Sequence, residues 1–247
     1  MDSDLESLTN DEVAGAAATV VLLRDGERGV EVLLAERPRD RGSFAGAWVF
    51  PGGAVDPEED ALGGSVDGED AARRAAVRET REEIGLELDR WDLVPFSHWT
   101  PPKGSPKQLR TTFFAARVPD GEIRPAPEEV MAVEWLRPVD ALDRHAEGAM
   151  TLWPPTWVTL HGLQKARSVD EALAELRSGE IKPYVSRFSE DGRTIIWQED
   201  DEYDDERRLQ ENDPAVPDEG PDAEGNQHRL VMDRLPWIYT NTMGAGF

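Results

Sequence analysis

Short runs of small, branched and aromatic residues, set off by Gly- or Pro-containing turns, fill the chain from Val13 to Leu136. Val13–Leu23 and Val30–Glu36 read as two strands joined by a turn at Asp25–Gly29. Ala47–Phe50 reads as a short third strand running into Pro51-Gly52-Gly53. Asp70–Ile84 reads as a helix, with acids at the end favoured by its dipole and Gly85 placed to close it. Leu93–Trp99 and Leu109–Val118 predict strands on either side of a Pro/Lys/Gly loop, Thr100–Lys107. Val130–Leu136 predicts another, followed by a helix from Pro138 to Ala146.

Further along, Pro155–Arg167 and Val169–Ser178 predict two helices, the second with Ser168 as N-cap. Lys182–Phe188 and Thr194–Gln198 predict a hairpin around Glu190–Gly192. Residues 199–226 are acidic and Pro/Gly-containing and read as loop or disorder; His228–Tyr239 returns as an alternating strand that should pair with the hairpin. The pattern divides the chain into a mobile acidic start at 1–11, an α/β domain at 12–147, and an α+β extension at 148–247 packed on that core.

The chemistry is concentrated on the first helix. Glu79, Glu82 and Glu83 stand at i, i+3 and i+4, which brings three carboxylates toward one face, and Arg78 lies four residues before Glu82. Such a face suits a hard divalent cation, which takes oxygen ligands and bridges to phosphate. The competing reading is a solvated face of i,i+4 ion pairs, each contributing about 0.2–0.5 kcal/mol.

Charge narrows the options. The chain of 247 residues carries a net −24, but residues 1–12 hold −5, residues 56–70 hold −7 and residues 199–226 hold −11, leaving −1 elsewhere. The acidity therefore belongs to tails and loops and argues against duplex nucleic acid as a partner, which needs a basic face. No stretch approaches about eighteen apolar residues, and the acidic start lacks an apolar run. Neither a membrane span nor a signal peptide is expected. The absence of Cys excludes disulfides, zinc-thiolate sites and thiol nucleophiles, and fits a cytoplasmic protein.

Phe50–Pro51–Gly52–Gly53 followed by Arg78–Glu79–Thr80–Arg81–Glu82–Glu83–Ile84–Gly85–Leu86 resembles the signature of the Nudix hydrolase family, G-x5-E-x7-R-E-U-x-E-E-x-G-U with U aliphatic. Thr80 departs from the aliphatic position. Asp70 stands where the family has Glu, seventeen residues after Gly53, so the insertion of about eleven residues reads as a loop between Gly53 and Asp70, within Asp56–Glu69. The resemblance implies a Nudix α/β/α sandwich with a mixed sheet, an insertion inside the signature and the C-terminal extension.

It also implies Mg²⁺ (or Mn²⁺) held by Glu82 and Glu83, with Glu79 and the Gly53 carbonyl, and Arg78 orienting a metal-binding carboxylate. The general base is Glu79 or a later acid, for which Glu129 is preferred to Glu128. Arg37 reads as a phosphate clamp or as a surface arginine at a strand end. Lys103, Lys107 and Arg110 surround the Pro-rich loop, where they draw in a polyanion or only solubilise.

The segment Leu33–Gly53, with His98–Pro102, Phe113–Ala116 and Thr151–Thr156, is similar to the larger coenzyme A diphosphatase-like branch typified by mammalian Nudix hydrolase 19. That implies cleavage of CoA or acyl-CoA to adenosine 3′,5′-bisphosphate and a 4′-phosphopantetheine. ADP-ribose or a dinucleotide is the alternative substrate, and a Nudix-fold ligand sensor the non-enzyme alternative. Trp153 and Trp157 read first as packing for the extension and second as substrate-lining rings. A homodimer is compatible with the family.

Overall fold

The computed structural model describes residues 15–42, 44–61, 68–105, 107–204 and 225–244. The expected acidic start and most of the acidic loop at 199–226 lie outside them. The chain runs through β1 (Gly15–Gly26), β2 (Gly29–Glu36), β3 (Trp48–Val49), β4 (Gly52–Ala54), α1 (Pro57–Ala61), α2 (Glu69–Ile84), β5 (Val94–Thr100), β6 (Leu109–Arg117) and β7 (Ala132–Leu136). It continues through α3 (Pro138–Ala146), α4 (Pro154–Leu163), α5 (Val169–Ser178), β8 (Lys182–Phe188), β9 (Thr194–Trp197), β10 (His228–Val231) and β11 (Ile238–Asn241).

Among the described residues, eleven strands form one mixed sheet, in the order β11-β10-β9-β8-β5-β6-β1-β2-β3, with β4 paired to β1 and β7 paired to β2. The β1–β6 and β5–β8 pairs are parallel and the other pairs antiparallel. Alternation along β1 sends Ala18, Val20 and Leu22 to one face and Val21 and Leu23 to the other, giving a core on each side. On the first face, Ala72, Ala75 and Ala76 let α2 lie close to the sheet. On the second, Val169, Ala172, Leu173 and Leu176 of α5 join Trp157, Val158 and Leu160 of α4. Helices thus cover both faces, as the α/β/α sandwich requires.

The residues beyond α3 extend the central sheet as well as packing on it. Without β8, the β5 edge would present unpaired backbone groups; β8 pairs with it from Ser97↔Lys182 to Thr100↔Val185. Trp99 and Tyr184 stack across this junction, with centroids 3.9 Å apart and planes at 1°. Asp25, in the β1–β2 hairpin, accepts the Val169 N–H at the start of α5 (2.8 Å) and an Arg117 N–H (2.9 Å). Ser168 caps the same helix, accepting the Glu171 N–H at 3.2 Å.

Three local expectations change. The segment Asp56–Glu69, expected to be a loop, contains α1. The terminal strand is a hairpin, β10–β11, interrupted around Pro236, which has no N–H for a ladder. The start of the acidic segment is ordered: Asp200, buried, accepts the His228 N–H at 2.8 Å and pairs with both ends of the Arg229 guanidinium. Among the described residues, no helix is long and apolar enough to cross a membrane.

Because one sheet carries both parts, Tyr184→Ala should cost about 3 kcal/mol or more, as aromatic truncation in a core does. Urea unfolding should remain a single transition shifted to lower denaturant. A biphasic curve with its upper limb unmoved would show instead that the C-terminal strands unfold on their own.

Candidate metal and catalytic site

The site forms where α2 crosses β4. Gly52 lies at φ 155°, and a Cβ there would strike the Ala18 carbonyl; a Cβ on Gly53 would overlap the Glu79 carboxylate. Gly52 thus lets β4 lie close on β1 and Gly53 lets it lie close on α2, until the Gly52 N–H donates to Glu83 Oε2 at 2.9 Å. Glu83 is 2% exposed, an unusual depth for a carboxylate, and its second oxygen accepts from Arg37 Nη1 at 3.1 Å. Thr80, at the aliphatic position of the signature, is buried against the sheet and donates its hydroxyl to the Ala76 carbonyl at 2.7 Å. A polar side chain therefore fits there without an unmet hydrogen bond. Gly85 (φ 76°) closes the helix with its N–H on the Arg81 carbonyl.

Arg78 connects the parts. Its guanidinium donates to Glu59 through Nε (3.0 Å) and Nη2 (3.2 Å), to the Ala54 carbonyl (2.9 Å), to Glu79 (2.9 Å) and to Glu82 (3.1 Å). The hydrogen bond to Glu59 is the largest of the influences holding its pKa well above the ordinary value. Glu59 also accepts the Asp56 N–H at 2.9 Å and donates its own N–H to the Asp56 carbonyl at 3.0 Å, one half of a capping box at the start of α1. This corrects the alignment of the signature. Glu59 stands six residues after Gly53, as G-x5-E demands, and it is the acid that meets Arg78. The additional residues therefore lie after the signature's glutamate, between Glu59 and Arg78, and Asp70, in the first turn of α2, is not that acid. Sequence reasoning missed Glu59; the capping box was the available signal.

The loop after β6 supplies a further carboxylate. The Ala126 N–H donates to the Glu83 carbonyl and the Arg124 N–H to the Ile84 carbonyl, both at 2.8 Å, which docks the loop on the end of α2. Glu79, Glu83 and Glu129 then each offer an oxygen, all within 4.8 Å of one another. Glu82 stands aside. On a helix, Glu83 lies about 40° to one side of Glu79 and Glu82 about 60° to the other, toward Arg78. Glu82 consequently sits half exposed at the rim. Glu128 is exposed and outside the trio.

The other expected residues are dispersed. Lys103 is exposed on the loop before β6. Arg110 opposes Ala16 on β1, two residues from the Ala18–Gly53 pair, and its guanidinium makes no hydrogen bond or ion pair among the described residues. Trp157 is core, whereas Trp153, just before α4, is 43% exposed.

Burial raises the Glu79 pKa, opposed by Arg78, and pushes Glu83 up to about 7, opposed by the Gly52 N–H and Arg37. The convergence of carboxylate oxygens, two of them on acids that burial disfavours as anions, fits a hard divalent cation. The Glu79 carboxylate lies against Gly53 where a Cβ would stand, so the backbone there comes close to the acids.

A layered mixed sheet with a glutamate-bearing helix against a glycine turn defines the class of protein, an α/β/α sandwich with a candidate divalent-metal site. The chain matches the NUDIX domain over residues 14–154 and belongs to that family. It is 35% identical to the CTP pyrophosphohydrolase of Escherichia coli (strain K12) over 116 residues, 47% of this chain and 73% of that protein. It is 33% identical to the isopentenyl-diphosphate Delta-isomerase of Streptomyces coelicolor over 82 residues, 32% of this chain and 41% of that one. The crystal structure of a NUDIX hydrolase from Alicyclobacillus acidocaldarius superimposes with a TM-score of 0.59 at 25% identity, covering 67% of this chain and 98% of the other.

Two measurements probe the site. Between its usual 4.5 and about 7, Glu83 keeps its proton in the folded protein while the unfolded chain ionises. Stability in chelator should therefore fall as pH rises through that window, by on the order of 3 kcal/mol, and level off above it. Glu83→Gln should remove most of the slope in urea titrations. Arg78→Lys, which loses the planar fork, should weaken Mn²⁺ binding roughly 10- to 100-fold by calorimetry.

Proposed function

We propose that the protein is a divalent-metal-dependent diphosphohydrolase that cleaves the phosphoanhydride of a nucleoside diphosphate linked to another moiety. The observation that carries this reading is the convergence of Glu79, Glu83 and Glu129 beside Gly53, with Arg78 binding Glu79. Glu79, Glu83 and the Gly53 carbonyl would hold Mg²⁺ or Mn²⁺, with Glu82 at the rim. A bound ion supplies charge neutralisation at phosphate and an acidified water.

The chain's own groups do the remainder. Arg78 fixes the Glu79 carboxylate, and the Gly52 N–H and Arg37 fix Glu83. Glu129, exposed on its loop, accepts the proton of the attacking water at its free carboxylate oxygen. Glu79 is the less suitable base because Arg78 already occupies one of its oxygens. Arg37, committed to Glu83, acts on phosphate only from its remaining donors; Lys103 and Arg110 are the outer contacts for a polyanion.

CoA or acyl-CoA is the favoured substrate, giving adenosine 3′,5′-bisphosphate and (acyl-)4′-phosphopantetheine. Support for it is the likeness of the segment Leu33–Gly53 to the coenzyme A diphosphatase branch. The similarity to a CTP pyrophosphohydrolase supports nucleotide phosphoanhydride cleavage in general, so ADP-ribose and dinucleotides belong in the same assay. The protein acts on a small molecule, in the cytoplasm, as a monomer or homodimer.

Incubation with Mg²⁺ or Mn²⁺ and a panel of CoA, acyl-CoA, ADP-ribose, dinucleotides and nucleoside triphosphates, read by mass spectrometry, should give two phosphorylated halves from CoA. Glu129→Gln should lower kcat by about 10²-fold or more while Mn²⁺ still binds. No turnover across the panel would indicate a ligand sensor.

A further inference from the structure

We infer that the open edge of β11 joins two copies of the chain, their strands antiparallel about a two-fold axis at Thr240. β11 ends the sheet and pairs with β10 alone, so its other side has no ladder partner among the described residues. The phase of the ladder shows which groups that side presents. The Thr242 N–H bonds to the Gln227 carbonyl at 3.0 Å, and the register runs on through Thr240↔Arg229 to Ile238↔Val231. Opposed residues in an antiparallel ladder alternate between bonded and non-bonded pairs. Ile238, Thr240 and Thr242 therefore turn their backbone groups toward β10, while Tyr239 and Asn241 turn theirs to the open edge.

Those two residues make a self-complementary set. With Thr240 facing the partner's Thr240, Tyr239 meets the partner's Asn241 and exchanges an N–H and a C=O with it. The two-fold repeats the exchange between Asn241 and the partner's Tyr239, so every outward group is used, as an isologous interface requires. The side chains suit the register. Thr240 and the exposed Ile238 stand on one face, where directly opposed threonines are a favourable cross-strand pair. Tyr239 lies on the other face against Trp157, Trp197 and His228, which hold the strand in place before a partner arrives.

Composition separates this edge from the other. Among the described residues β7 also pairs on one side only, with β2, but it carries Glu134 bound to Arg144 at 2.6 Å. Charge on an edge strand resists a second strand. Leu235–Met243 has no charged side chain, and Leu235, Ile238 and Met243 within it are exposed at 42%, 56% and 47%. Apolar residues gathered along an uncharged edge mark an interaction surface.

Charge also selects the occupant. Each copy carries a net −24, so two of them come close only where charge is absent, and this edge meets that need. A basic partner would be drawn to the acidic segments and would gain nothing from a neutral strand.

The test follows association of the full chain by sedimentation at rising concentration, in low and in high salt. Wild type should dimerise, more tightly in high salt, because screening weakens the repulsion between two acidic copies. Thr240→Lys sets like charges opposite one another on the axis. It should weaken the dimer roughly fivefold or more while the urea midpoint stays near that of wild type. The chain has no Cys, so a single introduced one reports the register. Thr240→Cys should form an interchain disulfide under mild oxidation, whereas Trp91→Cys, exposed ahead of β5, should not. Wild type that stays monomeric at every concentration and salt overturns the inference. So does a Thr240→Lys dimer as tight as wild type, or a dimer that dissociates as salt rises and is therefore held by opposite charges elsewhere. Equal cross-linking of the two cysteine variants, or of neither, would overturn it as well.

Discussion

The site depends on one guanidinium. Arg78 joins a strand end at Ala54, an acid of α1 at Glu59, and two glutamates of its own helix. A lysine could present one charge at that position but could not direct donors toward four acceptors in a plane. Because Glu59 already holds two of the guanidinium nitrogens, the remaining donors are aimed and the Glu79 carboxylate is fixed before any ligand arrives. The same acid explains how the signature accepts extra residues: the chain leaves after Glu59 and returns at α2, with the clamp closed around the interruption.

Close approach is the second constraint. A buried carboxylate such as Glu83 is tolerable only where donors reach it, and here they are a backbone N–H and an arginine. The N–H reaches because Gly53 has no side chain between strand and helix. Burial then leaves the acid poorly ionised until a cation shares its charge. The fold thus keeps a polar cluster at the sheet surface whose electrostatic cost a divalent ion would offset. On the opposite face, the extension supplies most of the aromatic packing, with Trp99, Tyr184 and Trp197 in mutual contact. Completing the sheet edge and forming this aromatic core are one event, which makes the extension part of the scaffold.

Much of this was legible in the sequence, for local reasons. The period-two runs gave β1, β2, β5 and β6; Gly85 and Ser168 gave a helix stop and a helix start; and Arg78 to Leu86 with the Pro-Gly-Gly turn identified the Nudix signature. These are properties of neighbouring residues, governed by backbone geometry and side-chain spacing. The helix face was also legible in outline, since Glu79 and Glu83 differ by one turn.

Distance along the chain hid the rest. Glu59 was overlooked although it stands six residues after Gly53, because Asp70 offered an equally regular spacing from the helix side; the fold decides between them by bringing Glu59 against Arg78. Glu82 and Glu129 exchanged places in the tight cluster because a helix splays i+3 and i+4 apart, while a loop docked on Glu83 and Ile84 delivers an acid from nearly fifty residues away. Phe44 and Trp153 face one another across more than a hundred residues, and nothing local marks either as half of a pair. By itself, then, the sequence determined the elements and the chemical type of the site, since both depend on contacts within a turn or a strand. Which acids meet, which arginine orients them and where the exposed rings stand were decided by the tertiary structure, because those contacts exist only after the sheet has closed.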